Sequence, residues 1–155
     1  MARGHETFEH TADIGIRAWG KDLPEIFEEA AKALSSVLVD LKTVNAHQKL
    51  KLELSAESEE ELFFKWLKEL LFISETKHIF LSEFKILNFF SLPFPLHQNG
   101  GEDKGEGVEL IAEASGEAVD SKKHVLGREV KAITRHQFKL VREPTRYLAE
   151  VILDI

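Results

Sequence analysis

The sequence predicts an α+β fold, a two-layer sandwich in which two amphipathic helices pack on a mostly antiparallel sheet. Three observations carry this. Two segments in the first half repeat apolar residues at spacings of three and four, each behind a capping signal. The other apolar segments are short and alternate with polar residues, as half-buried strands do. In the second half such strands follow one another through short turns, which favours hairpins over parallel crossovers.

The first strand expected is Ile14 to Ala18, ahead of Trp19-Gly20. Asp22 then stands as an N-cap with Glu25 three residues on and Pro24 in the first turn. Leu23, Ile26, Phe27, Ala30, Leu34, Val37, Leu38 and Leu41 form one apolar stripe, predicting a helix that runs to its end near Leu41. Lys49 to Leu54 alternates strictly and reads as a strand with one wet face. Ser58 and Glu61 make a second capping box, followed by Leu62, Phe63, Trp66, Leu67, Leu70 and Leu71 on a second helix. Phe84 and Ile86 suggest a strand extending toward Phe89.

Residues 91–107 contain two prolines and four glycines and are read as an irregular loop. Val108, Leu110, Ala112 and Ala114 then alternate with Glu109, Ile111 and Glu113, a strand pairing back across that loop. Ala118 to Gly127 is polar and irregular. Val130 to Thr134, Phe138 to Leu140 and Leu148 to Ile155 are the last strands, with Glu143-Pro144-Thr145 as the final turn. No repeat or linker divides the chain, so residues 1–155 are expected to form one domain.

Composition bounds the chemistry. A chain of 155 residues with 43% apolar content has enough material for a core without staples. It has no cysteine, which excludes disulfides, thiolate metal sites and cysteine nucleophiles. The first ten residues lack an apolar signal region and no apolar run approaches membrane-spanning length, so a cytoplasmic protein without membrane contact is expected. A net charge of −7 disfavours independent nucleic-acid binding. The charge is uneven: residues 121–146 hold eight Lys and Arg against two Glu, net +6. That segment is either a solvated strand region or a local surface for an anion or a partner.

Candidate ligands gather in two places. Glu9-His10-Thr11-Ala12-Asp13 crowds the entrance to a strand, either as a polar capped turn or as part of a metal site. The chain closes on Val151-Ile152-Leu153-Asp154-Ile155, a core strand with a carboxylate next to last. If the end of that strand meets the start of the first, Asp13, Asp154 and the terminal carboxylate of Ile155 offer oxygen ligands to Ca²⁺, Mg²⁺ or Mn²⁺. Lys131 alternates away from Val130 and Ala132 and reads as a solvated strand lysine or a contact residue. His124 and His136 are further possible ligands, and a zinc site of His10, His136 and Asp13 is a competing arrangement. No phosphate-binding glycine loop, zinc-hydrolase helix or nucleophile elbow occurs, and no Ser, His and Asp spacing suggests a triad. A small metal-dependent hydrolase is disfavoured because no general base or nucleophile stands beside the oxygen cluster.

Glu9-His10-Thr11-Ala12-Asp13-Ile14-Gly15, the early helix, Asp120 to His124, Arg128-Glu129-Val130-Lys131, Ala132-Ile133-Thr134 and the terminal Leu153-Asp154-Ile155 occur in the order found in the archease family. The resemblance spans the whole chain. It implies a non-enzymatic activator of an RtcB-type RNA ligase in tRNA splicing, promoting guanylylation of the ligase and its multiple turnover. It further implies a divalent ion, Ca²⁺ foremost, on Asp13, Asp154 and the carboxylate of Ile155. Lys131 corresponds to the family's required lysine, in contact with phosphate or an acidic group of the ligase, and His10 supports the site from behind. GTP and RNA are met only through the ligase. The chain departs from the family pattern at Arg135, where a tyrosine is usual and a bulky guanidinium is expected either to alter packing near Lys131 or to reinforce its charge. His136 and Arg135 are therefore weaker site candidates. It also lacks a Gly-Trp pair in the final hairpin. The alternative is a general chaperone or interaction module with no metal dependence, in which the two aspartates only cap strands.

Overall fold

The structure, a computed structural model, describes residues 3–10, 12–93 and 106–155. Among the described residues, eight strands and two α-helices follow in the order β1 (Gly4–His10), β2 (Asp13–Gly20), α1 (Leu23–Leu38), β3 (Gln48–Ala56), α2 (Glu59–Lys77), β4 (Ile79–Pro93), β5 (Glu106–Ala118), β6 (Ala132–Ile133), β7 (Lys139–Arg142) and β8 (Tyr147–Asp154), with one 3-10 turn at Leu41–Thr43.

Every strand pair is antiparallel, and the strands divide into two sheets. One has the order β1-β2-β8-β6, with β7 sharing the outer edge of β8; the other is β3-β5-β4. Helix α1 packs on β1, β2 and β8 and also on β4, while α2 packs on β3, β4 and β5 and also on β6. Each helix thus ties the two sheets together. The α+β expectation of two helices on antiparallel sheet holds.

Both helices begin where the capping signals place them. Asp22 accepts from the Glu25 amide at 3.0 Å, and Ser58 from the Glu61 amide at 3.1 Å. The α1 stripe buries Ile26, Phe27, Ala30 and Leu34. The α2 stripe buries Leu62, Phe63, Trp66 and Leu67. Phe27 sits between them, with its ring 5.1 Å from Phe63 and 5.2 Å from Phe89. Burying an aromatic of this size stabilises by roughly 1.5–3 kcal/mol. The Trp66 indole N–H, buried with its ring, donates to the Phe27 carbonyl at 2.9 Å and satisfies its one polar atom.

Several boundaries differ from expectation. Residues 4–10 form a seven-residue strand rather than only a polar turn. Their polarity hid it: β1 is an edge strand, held by its ladder to β2 and by side-chain pairs such as Arg3 with Glu28 and Glu29. Helix α1 ends at Leu38, not Leu41, because Val39 turns extended and bridges Leu126. The loop expected at 91–107 is narrower: β4 continues to Pro93 and β5 starts at Glu106, and residues 94–105 lie outside what the structure describes. The strand expected at 130–134 shrinks to Ala132–Ile133, and the one at 138–140 shifts to Lys139–Arg142. Both lie along β8, whose two ends they share.

Candidate metal and phosphate site at the end of the first sheet

Strand register builds the site. In the β1–β2 hairpin His10 stands opposite Asp13. Between β2 and β8, Ile14 stands opposite Leu153, so the next step sets Asp13 across from Asp154. Between β8 and β6, Asp154 stands opposite Ala132. The Lys131 amide also donates to the Asp154 carbonyl at 2.7 Å. Four strands therefore end in one row, reading His10, Asp13, Asp154 and Ala132, with Lys131 beside it. Residues directly opposite in an antiparallel pair share a face, so Asp13 and Asp154 lie on the same side of the sheet.

Packing behind the row holds it in place. Val151, Ile152 and Leu153 are each buried, so β8 is gripped on both faces up to the residue before Asp154. On the face that carries Asp13, Phe8 lies over Gly15: a Cβ on Gly15 would come within 2.2 Å of that ring. Along the same face Arg17 links Glu6 and Glu150 across three strands. These contacts fix the strand ends. Asp13 itself is half-buried and Asp154 exposed, so both carboxylates reach solvent.

A cavity of about 460 Å³ opens here, lined by Thr7, Phe8, Glu9, Ala12, Asp13, Ile14 and Arg128. Arg128 was legible as one cation of the basic segment and as part of the family-like run Arg128 to Lys131, but nothing in its spacing ties it to Asp13. Among the described residues, Asp13, Asp154, Arg128 and Lys131 form no side-chain ion pair. Nor do the described residues gather three or more His, Asp or Glu side chains in a metal-holding group. The side-chain donors in the row are the carboxylates of Asp13 and Asp154, and Ile155 is partly buried with its side chain packed against the core.

The other candidates are placed as follows. The side chain of His10 lies outside what the structure describes, although its backbone belongs to the row. Arg135 turns to α2, where it forks onto Glu61 at 3.0 and 3.1 Å and stacks 3.9 Å from the Phe64 ring. His136 is exposed in the turn between β6 and β7, its amide bonded to Thr134 Oγ1. His124 is fully buried and structural: it bonds Glu117 through Nε2 at 2.8 Å, while its Nδ1 accepts from the Asp120 amide. Glu117 also receives Lys123, the Asn45 amide and His47. The bond from Lys123, with those from Asn45 and His124, holds this carboxyl far below its ordinary value.

Comparison with known proteins agrees with this architecture. The profile of the archease protein family matches residues 5–155. The chain is 36% identical over 153 residues to protein archease of Methanothermobacter thermautotrophicus, covering 99% of both chains. It is 35% identical over 154 residues to protein archease of Pyrococcus furiosus, again covering 99% of each. The solution structure of Methanobacterium thermoautotrophicum protein 1598 superposes with a TM-score of 0.75 at 35% identity, covering 98% of this chain and 99% of that one. The crystal structure of a Thermotoga maritima archease, described as a possible chaperone, shares the fold with a TM-score of 0.56 at 19% identity, covering 97% and 96%. With the family profile matched along nearly its whole length and relatives above 30% identity covering both chains, this chain belongs to the archease family.

Proposed function

We propose that this protein is a non-catalytic activator of an RtcB-type RNA ligase in tRNA splicing, promoting guanylylation of the ligase and repeated turnover through a divalent-metal site. The observation that carries the reading is the register row that brings Asp13 and Asp154 onto neighbouring strand ends. Two close carboxylates without a counter-ion repel one another, and a hard cation relieves that repulsion through oxygen ligands. Carboxylate oxygens are the ligand type that such an ion takes. Asp13, Asp154 and the carboxylate of Ile155 would hold it, with Ca²⁺ foremost and Mg²⁺ or Mn²⁺ as alternatives. Bound there, the ion supplies positive charge to an incoming anionic oxygen. Lys131, exposed beside Asp154, adds a mobile cation for phosphate or for an acidic group of the ligase. GTP and RNA are reached through the ligase, and the protein works in the cytoplasm.

The test is multiple-turnover RNA ligation by the cognate ligase, with wild type, Asp13→Ala or Asp154→Ala added. Wild type is expected to raise turnover, while each variant loses at least tenfold of that gain and keeps its circular dichroism spectrum. Asp154 is exposed, so truncating it costs no more than about 0.5 kcal/mol of stability.

A second reading, a chaperone or interaction module without metal dependence, draws on one observation. Val125 and Leu126 stand 58% and 57% exposed side by side, an apolar surface such a module would use. Folded aspartate variants that activate the ligase as well as wild type does would favour it.

A further inference from the structure

Helix α2 leaves one face uncovered, and that face carries both a plug and a seat. Glu61, Lys65, Lys68 and Phe72 follow at spacings of four, three and four, a single stripe along the helix, and all four are exposed. Phe72 is out of place in so polar a stripe. It is 58% exposed, and among the described residues its ring meets no other aromatic ring. The same residue lines a cavity of about 580 Å³, whose floor is Phe64 and whose walls include Lys65, Lys68, Glu69 and Arg135.

The seat is held in shape from behind. The Phe64 ring meets Phe138 edge-on at 5.8 Å, with the Arg135 guanidinium 3.9 Å and the Lys68 ammonium 5.4 Å from its centre. Arg135 is fixed in turn by its fork onto Glu61, and Lys65 by the bond its Nζ donates to the Ser55 carbonyl at 2.7 Å. Walls already ordered in this way lose little further freedom when a partner arrives. Seat and plug lie eight residues apart on one helix, about 12 Å along its axis.

Charge selects the occupant. The protein carries −7, so most of its surface repels a second copy. Around this cavity Lys65, Lys68 and Arg135 stand against Glu57, Glu61 and Glu69, three bases and three acids with no net charge. A two-fold contact sets a patch against itself, which such a balance permits and a patch of one sign forbids. A strongly acidic or basic partner would instead meet three charges of its own sign. Lys68 and Glu69, neighbours in the chain, form no ion pair among the described residues. Placed antiparallel about an axis beside these two residues, a second α2 lays Phe72 of each copy on Phe64 of the other and Lys68 of each against Glu69 of the other. We infer that this face of α2 is a self-association surface, and that its occupant is a second copy of the chain related by a two-fold axis. The apolar contact supplies the attraction and the charge pairs set the register. Neither Asp13, Asp154 nor a bound ion takes part.

Sedimentation equilibrium of the protein alone, from about 10 µM to about 1 mM, reads the association directly. The mass is expected to rise from the 17.6 kDa of one chain toward twice that value and to level there. Phe72→Ser is expected to weaken the dimer about tenfold or more, because the plug is lost from both copies at once. Lys68→Glu sets carboxylates against each other and is expected to weaken it about threefold or more, while Lys68→Glu combined with Glu69→Lys restores most of that loss. Phe72 and Lys68 are exposed and Glu69 half-exposed, so all these variants are expected to keep the circular dichroism spectrum of wild type. A mass that stays at one chain up to about 1 mM overturns the inference. A dimer that Phe72→Ser leaves as tight as wild type moves the contact away from α2 and overturns it as well. A mass that climbs past two chains overturns the two-fold axis, since such a contact closes at two. A charge swap no tighter than Lys68→Glu overturns the pairing of Lys68 with Glu69.

Discussion

Gly15 shows how one missing side chain supports the candidate site two residues away. The tip of the Phe8 ring covers it, and the Arg17 guanidinium sits 4.5 Å from the centre of the same ring. A methyl group at position 15 must displace that ring, since 2.2 Å is far inside van der Waals contact. Gly15→Ala is therefore expected to destabilise the protein by about 1–3 kcal/mol, the usual cost of overpacking, as read from urea unfolding. A change below about 0.5 kcal/mol would mean that Phe8 swings aside freely and does not brace β1 against β2. Arg135 makes the opposite point about residue-level reading. In sequence it stands four residues from Lys131, but its charge is spent on Glu61 and its planar face on Phe64. Both members of that ion pair are about half exposed, so it contributes at most about 1 kcal/mol.

The elements owe their boundaries to local chemistry wherever that chemistry is strong. Asp22 and Ser58 each satisfy an amide that the first helical turn leaves without a partner. Asp22→Ala and Ser58→Ala are each expected to cost about 1 kcal/mol, measured by chemical denaturation, while the helix content of the folded state stays unchanged. An unaffected denaturation midpoint would mean that packing of α1 and α2 alone sets where they start. Strand β1 lies at the other extreme. Its composition has little strand preference, and it exists because β2 offers an edge and because Glu29, buried on α1, receives Arg3 and His5. Burial raises the Glu29 pKa, but the hydrogen bonds from His5 and Arg3 outweigh that and bring it below its ordinary value.

At the scale of the molecule, acid sensitivity follows from the carboxylates that the fold has paired. Glu117 joins the end of β5 to the 119–128 segment through Lys123 and His124, and to the chain before β3 through Asn45 and His47. Its folded-state pKa is depressed from an ordinary 4.5. The stability it contributes is thus fully present above about pH 4.5 and is lost as pH falls toward the folded value. Glu29 adds to the same trend. Glu117→Gln is expected to be less stable than wild type at pH 7, and the gap is expected to narrow steadily below pH 4.5. Urea unfolding of both proteins from pH 7 to pH 3 reads this directly. A gap that stays constant with pH would show that the Glu117 charge is not what secures the segment leading to Arg128 and Lys131.

Both helices, the alternating strands, the final turn at Glu143 to Thr145 and the pairing of Asp13 with Asp154 were legible in the sequence. Each rests on periodicity, capping or the rule that an apolar end strand must enter the core. Strand β1, the split into two sheets and the cavity at Arg128 were not. Edge strands need no apolar alternation, sheet partition depends on which strands the helices bridge, and Arg128 meets Asp13 only because the 119–131 segment runs along the end of α1. Local preference and burial therefore determined the two helices and the alternating strands. Tertiary structure decided which charged groups stand together unpaired, because contacts between residues more than a hundred positions apart leave no trace in local spacing.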